Sequence, residues 1–210
     1  MSVIERDVEP TGRLDEVLPA TANGSASFAW WGMVWLILTE AALFATVLVS
    51  YWYLRFRSGP VWPPDGIEKP ELTLPLVMSA ILWSSSVPVH LAERAIRRGH
   101  RRTFRLGLVA GWVLGASFLV LMVGVEYPHA LDEFTPRTNA YGSAFFTITG
   151  LHGLHVAVGL LFSAWVQVRA ALGAFGPHRH VSVQNFTMYW HFVDVVWLFV
   201  LLTVYVSPHL

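Results

Sequence analysis

The chain has 210 residues, of which 54% are apolar and 13% charged, with 14 Lys+Arg against 14 Asp+Glu and no cysteine. Charged residues make up about 25% of an ordinary soluble domain, so this is the composition of a membrane protein, and the balanced charge argues against a nucleic-acid partner. The absence of cysteine excludes disulfides, thiolate metal sites and cysteine nucleophiles.

Residues 1–27 are acidic and polar and lack the basic-then-apolar pattern of a signal peptide. They read as a mostly disordered tail ahead of one domain, residues 28–210. Five apolar runs follow, at about Trp30–Leu54, Leu72–Ile96, Phe104–Tyr127, Asn139–Val168 and Val183–Val206. Each reaches the roughly 20 residues that a spanning helix needs. A soluble helical core would show polar faces at helical period, and these runs are apolar nearly all round. There is no internal repeat. The predicted fold is an all-α integral membrane bundle of five transmembrane helices.

An odd number of spans puts the termini on opposite sides. Arg6, Arg13, the cluster Arg94, Arg97, Arg98, Arg101, Arg102 and Arg105, and then Arg169 and Arg179 fall on one side. Arg55, Arg57, Lys69 and Arg137 fall on the other. The excess of basic residues marks the cytoplasmic side, so the N-terminus is expected in the cytoplasm and the C-terminus outside. Trp30, Trp31, Tyr51, Trp52, Tyr53, Trp62, Tyr127 and Tyr141 cluster at span ends and read as interfacial anchors. Trp83, Trp112 and Trp197 lie deeper and are expected between helices. The loop carrying Pro60, Pro63, Pro64, Pro70 and Pro75 is too proline-rich for a helix and predicts a stiff, extended cover.

The polar residues inside the spans carry any chemistry there is. Glu40 stands about 15 Å into the first span at 1.5 Å rise per residue, either as a proton-relay carboxyl or as a bridge between helices. His152 and His155 in the fourth span, and His191 and Asp194 in the fifth, each lie three apart and so on one helix face. Ionisable groups at this depth cost roughly 2.5–3.5 kcal/mol each, so they should face protein. The simplest arrangement brings these four residues into one hydrogen-bonded cluster, with Gly150 and Gly153 allowing close helix approach. Histidines on facing helices can also hold haem, and three histidines with a carboxylate can hold zinc or iron. His90 and Glu126 lie at span ends. His100, His129, His178, His180 and His209 read as surface histidines. No phosphate loop, serine elbow or HExxH is present, and the polar groups look like internal fasteners of a subunit that docks beside another protein.

The run Tyr189-Trp190-His191-Phe192-Val193-Asp194-Val195-Val196-Trp197-Leu198 resembles the closing signature of subunit III of haem–copper oxidases. So do the run Tyr141 to Phe146 with Thr149-Gly150-Leu151-His152-Gly153-Leu154-His155-Val156, Glu126-Tyr127, and Trp62-Pro63-Pro64-Asp65-Gly66-Ile67. The likeness covers about Trp30 to Tyr205. It implies subunit III of a cytochrome c oxidase in a bacterial plasma membrane, with no catalytic, cofactor or metal residue of its own. Haem and copper would sit in partner subunits, with subunits I and II beside it, cytochrome c as donor to the complex, and phospholipid bound. Support of assembly and of proton uptake by subunit I would be its role. Glu40, His90, Glu126, His152, His155, His191 and Asp194 match family positions that look structural or lipid-associated. A quinol oxidase subunit or a nitric oxide reductase accessory subunit fits the same residues. Rivals of other kinds are an independent ion carrier using Glu40 and Asp194, and a haem-bearing anchor. Longer family members have seven spans, so extra helices of subunit I are expected where two are missing here. Leu91 occupies one of the positions where the family often pairs histidines, so no two-histidine role is expected there.

Overall fold

A computed structural model describes residues 27–59, 61–64 and 66–210. The expectation of a disordered tail falls on residues outside that range, Ser27 excepted. Among the described residues five helices are long and apolar enough to cross a membrane: α1 Phe28–Arg57, α2 Thr73–Arg97, α3 Arg101–Glu133, α4 Ala140–Ala171 and α5 Val181–His209. Each expected span lies within one of them or misses it by a residue, and the helices run past the apolar runs at most ends. Local chemistry sets several boundaries. The Ser27 hydroxyl accepts the Ala29 N–H at 3.2 Å and the Asn139 side chain accepts that of Gly142 at 2.9 Å, which satisfies otherwise orphaned first-turn donors. At the other ends Gly99 (φ 77) and Gly173 (φ 74) adopt the left-handed conformation. There His100 N–H donates to Ala95 O at 2.9 Å and Ala174 N–H to Arg169 O at 3.0 Å, the Schellman closure that suits glycine.

Helix α5 is the axis of the bundle. It packs on α1, α2 and α4, while α3 closes the arc between α2 and α4. The closest approach is α2 on α3. A Cβ placed on Gly107 would lie 2.6 Å from the Pro88 carbonyl and 2.9 Å from Ala92 Cβ, and one on Gly111 would strike Val89. Gly115 continues this stripe and receives the Trp190 ring. Gly153, by contrast, faces the flexible Met122 side chain at 3.3 Å, and Gly150 only the Tyr127 hydroxyl at 3.5 Å. The tight glycine seam therefore runs along α3, not at Gly150 and Gly153. Two helices change pitch near one end of the bundle, with π-helical turns at Met122–Glu126 and Leu201–Val206.

Three anchor assignments change. Tyr51, Trp62 and Tyr141 are buried because the loop after α1 folds back over the bundle end. The Trp62 indole N–H donates to Tyr51 Oη at 2.9 Å, and the Trp62 ring meets Tyr141 edge-on at 5.4 Å. Pro75 lies inside the first turn of α2, where a missing N–H leaves no intrahelical bond unmade. Trp197 is fully buried, as expected, but Trp83 and Trp112 each keep 39% of their surface. Their rings are partly exposed on the outside of the bundle while the indole N–H groups reach the Asp194 and Leu160 carbonyls at 3.4 and 3.2 Å.

Candidate functional site

The buried polar residues of α4 and α5 do not form one cluster. His155 turns to α1: its Nε2 lies 3.0 Å from Glu40 Oε2, and its Nδ1–H donates to the Leu151 carbonyl at 2.7 Å. With Nδ1 committed to that carbonyl, Nε2 is the ring nitrogen that meets the Glu40 carboxyl. Tyr189 Oη donates to the His155 carbonyl at 3.1 Å, and Phe44 caps the imidazole edge at 4.9 Å. A cavity of about 340 Å³ opens on this pair between α1 and α4, walled by Leu36, Leu43, Leu154 and Val158. Glu40 is thus a bridge between helices.

His191 and Asp194 turn to α2. Ser86 Oγ lies 3.0 Å from His191 Nδ1 and donates to Asp194 Oδ2. The second Asp194 oxygen is buried without a partner. The exposed His90 ring stands 6.1 Å from that of His191. An apolar groove of about 480 Å³ between α1 and α5, walled by Ile37, Leu38 and Phe192, has His191 in its lining. His152 joins neither group. It is fully buried with both ring nitrogens unbonded, stacked on Trp197 at 4.9 Å and edge-on to Phe118 at 5.7 Å.

The physical reason is rotation. Residues three apart sit about 60° apart around a helix, and at a three-helix junction that angle selects different neighbours. His155 reaches α1, while His152 stays between α3 and α5. His155 and Asp194 share no partner, so replacing His155 by Phe and Asp194 by Leu should give stability losses that add within about 0.3–0.5 kcal/mol. Thermal unfolding of the single and double variants checks this.

Glu126 is buried in the π-helical turn of α3, beside the Tyr205 hydroxyl. It lines a cavity of about 560 Å³ together with Glu71, His129, Glu133 and His209, at the end of the bundle away from the arginine cluster. His180, expected at the surface, is buried at the start of α5, where its Nδ1–H donates to Gly176 O at 3.2 Å. Among the described residues no three His, Asp or Glu side chains converge as a metal-ligand set.

Further fasteners pair serine with tryptophan, and the run Ser84–Ser86 has the polar character that suits helix–helix packing. The Trp190 indole N–H donates to Ser85 Oγ at 2.9 Å and that of Trp197 to Ser79 Oγ at 2.8 Å, both tying α5 to α2. Their signal was present as Ser79 and Ser85 in an apolar run, and as the four-residue spacing of Gly107, Gly111 and Gly115.

The sequence matches known proteins over almost the whole of this architecture. The family model described as "Cytochrome c oxidase subunit III" matches residues 20–208. Cytochrome c oxidase subunit 3 of Synechocystis sp. is 35% identical over 187 residues, covering 87% of this chain and 77% of the relative. The subunits 3 of Anopheles gambiae and Locusta migratoria are 35% and 36% identical, each over 83% of this chain and covering 68% and 67% of the relative. With five membrane-length helices and a family match from end to end of the bundle, the chain belongs to the cytochrome c oxidase subunit III family.

Proposed function

We propose that the chain is the non-redox subunit III of a proton-pumping cytochrome c oxidase, with electron transfer and oxygen chemistry carried out by partner subunits that hold haem and copper. The family match over residues 20–208 carries this reading. The site geometry agrees with a helper role. Glu40–His155 and Ser86–His191–Asp194 each join two helices of this chain, so these groups are engaged in holding the bundle together. In this reading the chain supports assembly and proton uptake by subunit I, and Glu40, His90, Glu126, His152, His155, His191 and Asp194 act structurally or against lipid.

Helix α1 is the least enclosed of the five. Its outer face, with Trp35, Leu38 and Val49 exposed, is where subunit I would place additional helices, and a structure of the complex with bare lipid there would refute this. Subunit II and cytochrome c would complete the respiratory complex. The arginine-rich end would face the bacterial cytoplasm, with the N-terminus inside and the C-terminus outside. Purification in mild detergent through a tag on this chain should co-purify haem–copper subunits, with haem absorbance and copper in proportion. Recovery of the chain alone from an intact membrane extract would overturn the assignment.

A further inference from the structure

Helix α2 carries one polar line along its length. Ser86, His90, Glu93 and Arg97 follow at spacings of four, three and four residues, which keeps them on one side of the helix. About 16 Å of helix separates the first from the last. The line starts in the arginine-rich end, where the half-exposed Arg97 engages Glu93. It continues through the exposed His90 ring, 6.1 Å from that of His191 on α5. It ends at Ser86, which bonds both His191 and Asp194. His90 and Glu93 are the ionisable groups that act on His191. Helix α1 presents Val34, Ile37 and Leu38 to the groove beside it, and α4 turns His155 to Glu40 and His152 to Trp197 instead.

The hydrogens of this group have one consistent arrangement. A carboxylate only accepts, so the Ser86 hydroxyl proton is committed to Asp194 Oδ2, and the Ser86 oxygen takes the proton of His191 Nδ1, 3.0 Å away. That leaves His191 Nε2 as the nitrogen able to accept. One turn farther from the arginine-rich end stand Trp83 and Trp197, whose indole N–H groups donate to the Asp194 carbonyl and the Ser79 hydroxyl. An indole N–H donates and cannot accept, so among the described residues the line closes there. Asp194 is 8% exposed and its Oδ1 has no partner. A carboxyl kept solely to join helices gains by bonding both oxygens. One that alternates between acid and carboxylate cannot be satisfied in both forms by a single fixed set of partners.

We infer that His90, His191 and Ser86 form a one-ended proton relay that loads and unloads the Asp194 carboxyl from the arginine-rich end of the bundle. A proton passed on by His90, through one bridging water, binds His191 Nε2. The Nδ1 proton then moves to Ser86 Oγ as the hydroxyl proton moves to Asp194 Oδ2. One N–H bond forms at Nε2 and one breaks at Nδ1, one O–H bond forms and one breaks at Ser86, and one forms at Asp194. Unloading runs the same steps in reverse. Because the line closes at the two indoles, Asp194 stores a proton inside the membrane without passing it to the other side. Only the α2–α5 pairing is required, so the relay stands or falls independently of which partner subunits hold haem and copper.

Infrared spectroscopy of the intact complex in lipid discs tests this. The carbonyl stretch of protonated Asp194 is identified as the band lost in Asp194→Asn or, should that variant fail to assemble, moved in Asp194→Glu. On transfer from H2O to D2O at one mildly acidic pH, this band should shift to lower wavenumber within the mixing time. Ser86→Ala and His90→Leu should each slow the shift about a hundredfold, the lower part of what a positioned proton-transfer group contributes. Ser86→Thr, which keeps the hydroxyl, should retain the fast rate. His155→Phe, which breaks the separate bridge to α1, should leave it unchanged. Absence of an Asp194 band at every pH at which the complex stays intact would overturn the relay, as would a rate indifferent to Ser86→Ala or to His90→Leu. A change with His155→Phe as large as that with Ser86→Ala would assign the rate to loosening of the bundle and overturn it as well.

Discussion

Replacing Trp190 by alanine is expected to cost about 3–5 kcal/mol of stability, in the range of buried Trp→Ala changes. This would appear as a large fall in the unfolding temperature of the purified complex or as loss of the subunit during purification. Trp190 is 1% exposed and ties four helices at once. A Cβ on Gly115 of α3 would lie 2.5 Å from its ring and one on Gly159 of α4 2.8 Å from it, while its N–H bonds Ser85 of α2. The loss is mainly one of packing: lipid tails are as apolar as the bundle interior, so close contact between helices supplies the attraction. The same geometry gives an internal control. Gly159→Ala alone should destabilise, because its methyl group meets the ring. In the Trp190→Ala background the cavity accepts that methyl group, so the double variant should be less damaged than the sum of the two single losses. Strict additivity would show that the ring does not occupy this position.

The second large effect is expected at Gly107. Substitution by valine drives Cβ toward the Pro88 carbonyl and Ala92, which are backbone and a short side chain and cannot swing aside. The helices must separate, and the contacts below, at Gly111 against Val89 and at Gly115 against Trp190, loosen with them. Overpacking typically costs about 1–3 kcal/mol, and a seam opened along three turns lies at or beyond the top of that range. Gly124 is the control: it has open space around its Cβ position, so Gly124→Val should leave the unfolding temperature within a degree or two of the parent. Loss of assembled complex for Gly107→Val but not for Gly124→Val is the expected pattern.

The five spans were legible because lipid imposes a simple rule: about 20 apolar residues with every backbone group bonded internally. Several of the polar residues inside the spans were equally legible, although the burial of His180 and Glu126 was not. Glu40, His152, His155, His191 and Asp194 all sit within helices of the bundle. Their partners were not legible, because pairing depends on how each helix is rotated, and that is settled by packing far from the polar residues. The Gly107 stripe decides where α2 and α3 touch, and the Trp190 ring where α3, α4 and α5 meet. Only then does His155 face Glu40 and Asp194 face Ser86. Tyr51, Trp62 and Tyr141 misled for a related reason. Aromatic residues at helix ends look alike whether they meet lipid headgroups or one another, and only the path of the loop after α1 separates the two. The π-helical turns left no mark in the apolar pattern, yet they fall where Glu126 and Tyr205 come together.

The central place of α5 also governs how this protein is made. Helix α1 leaves the ribosome first, but the groups that hold it come with the last two helices: His155 of α4 for Glu40, then from α5 Asn185 for Ala29 and Ser207 for Tyr51 and Arg55. Until α4 arrives, Glu40 has no imidazole to meet it, and until α5 arrives the first four helices lack the helix they pack around. Closure of the bundle therefore waits for the final span, and a chain that stops short of it leaves the inner faces of α1, α2 and α4 uncovered.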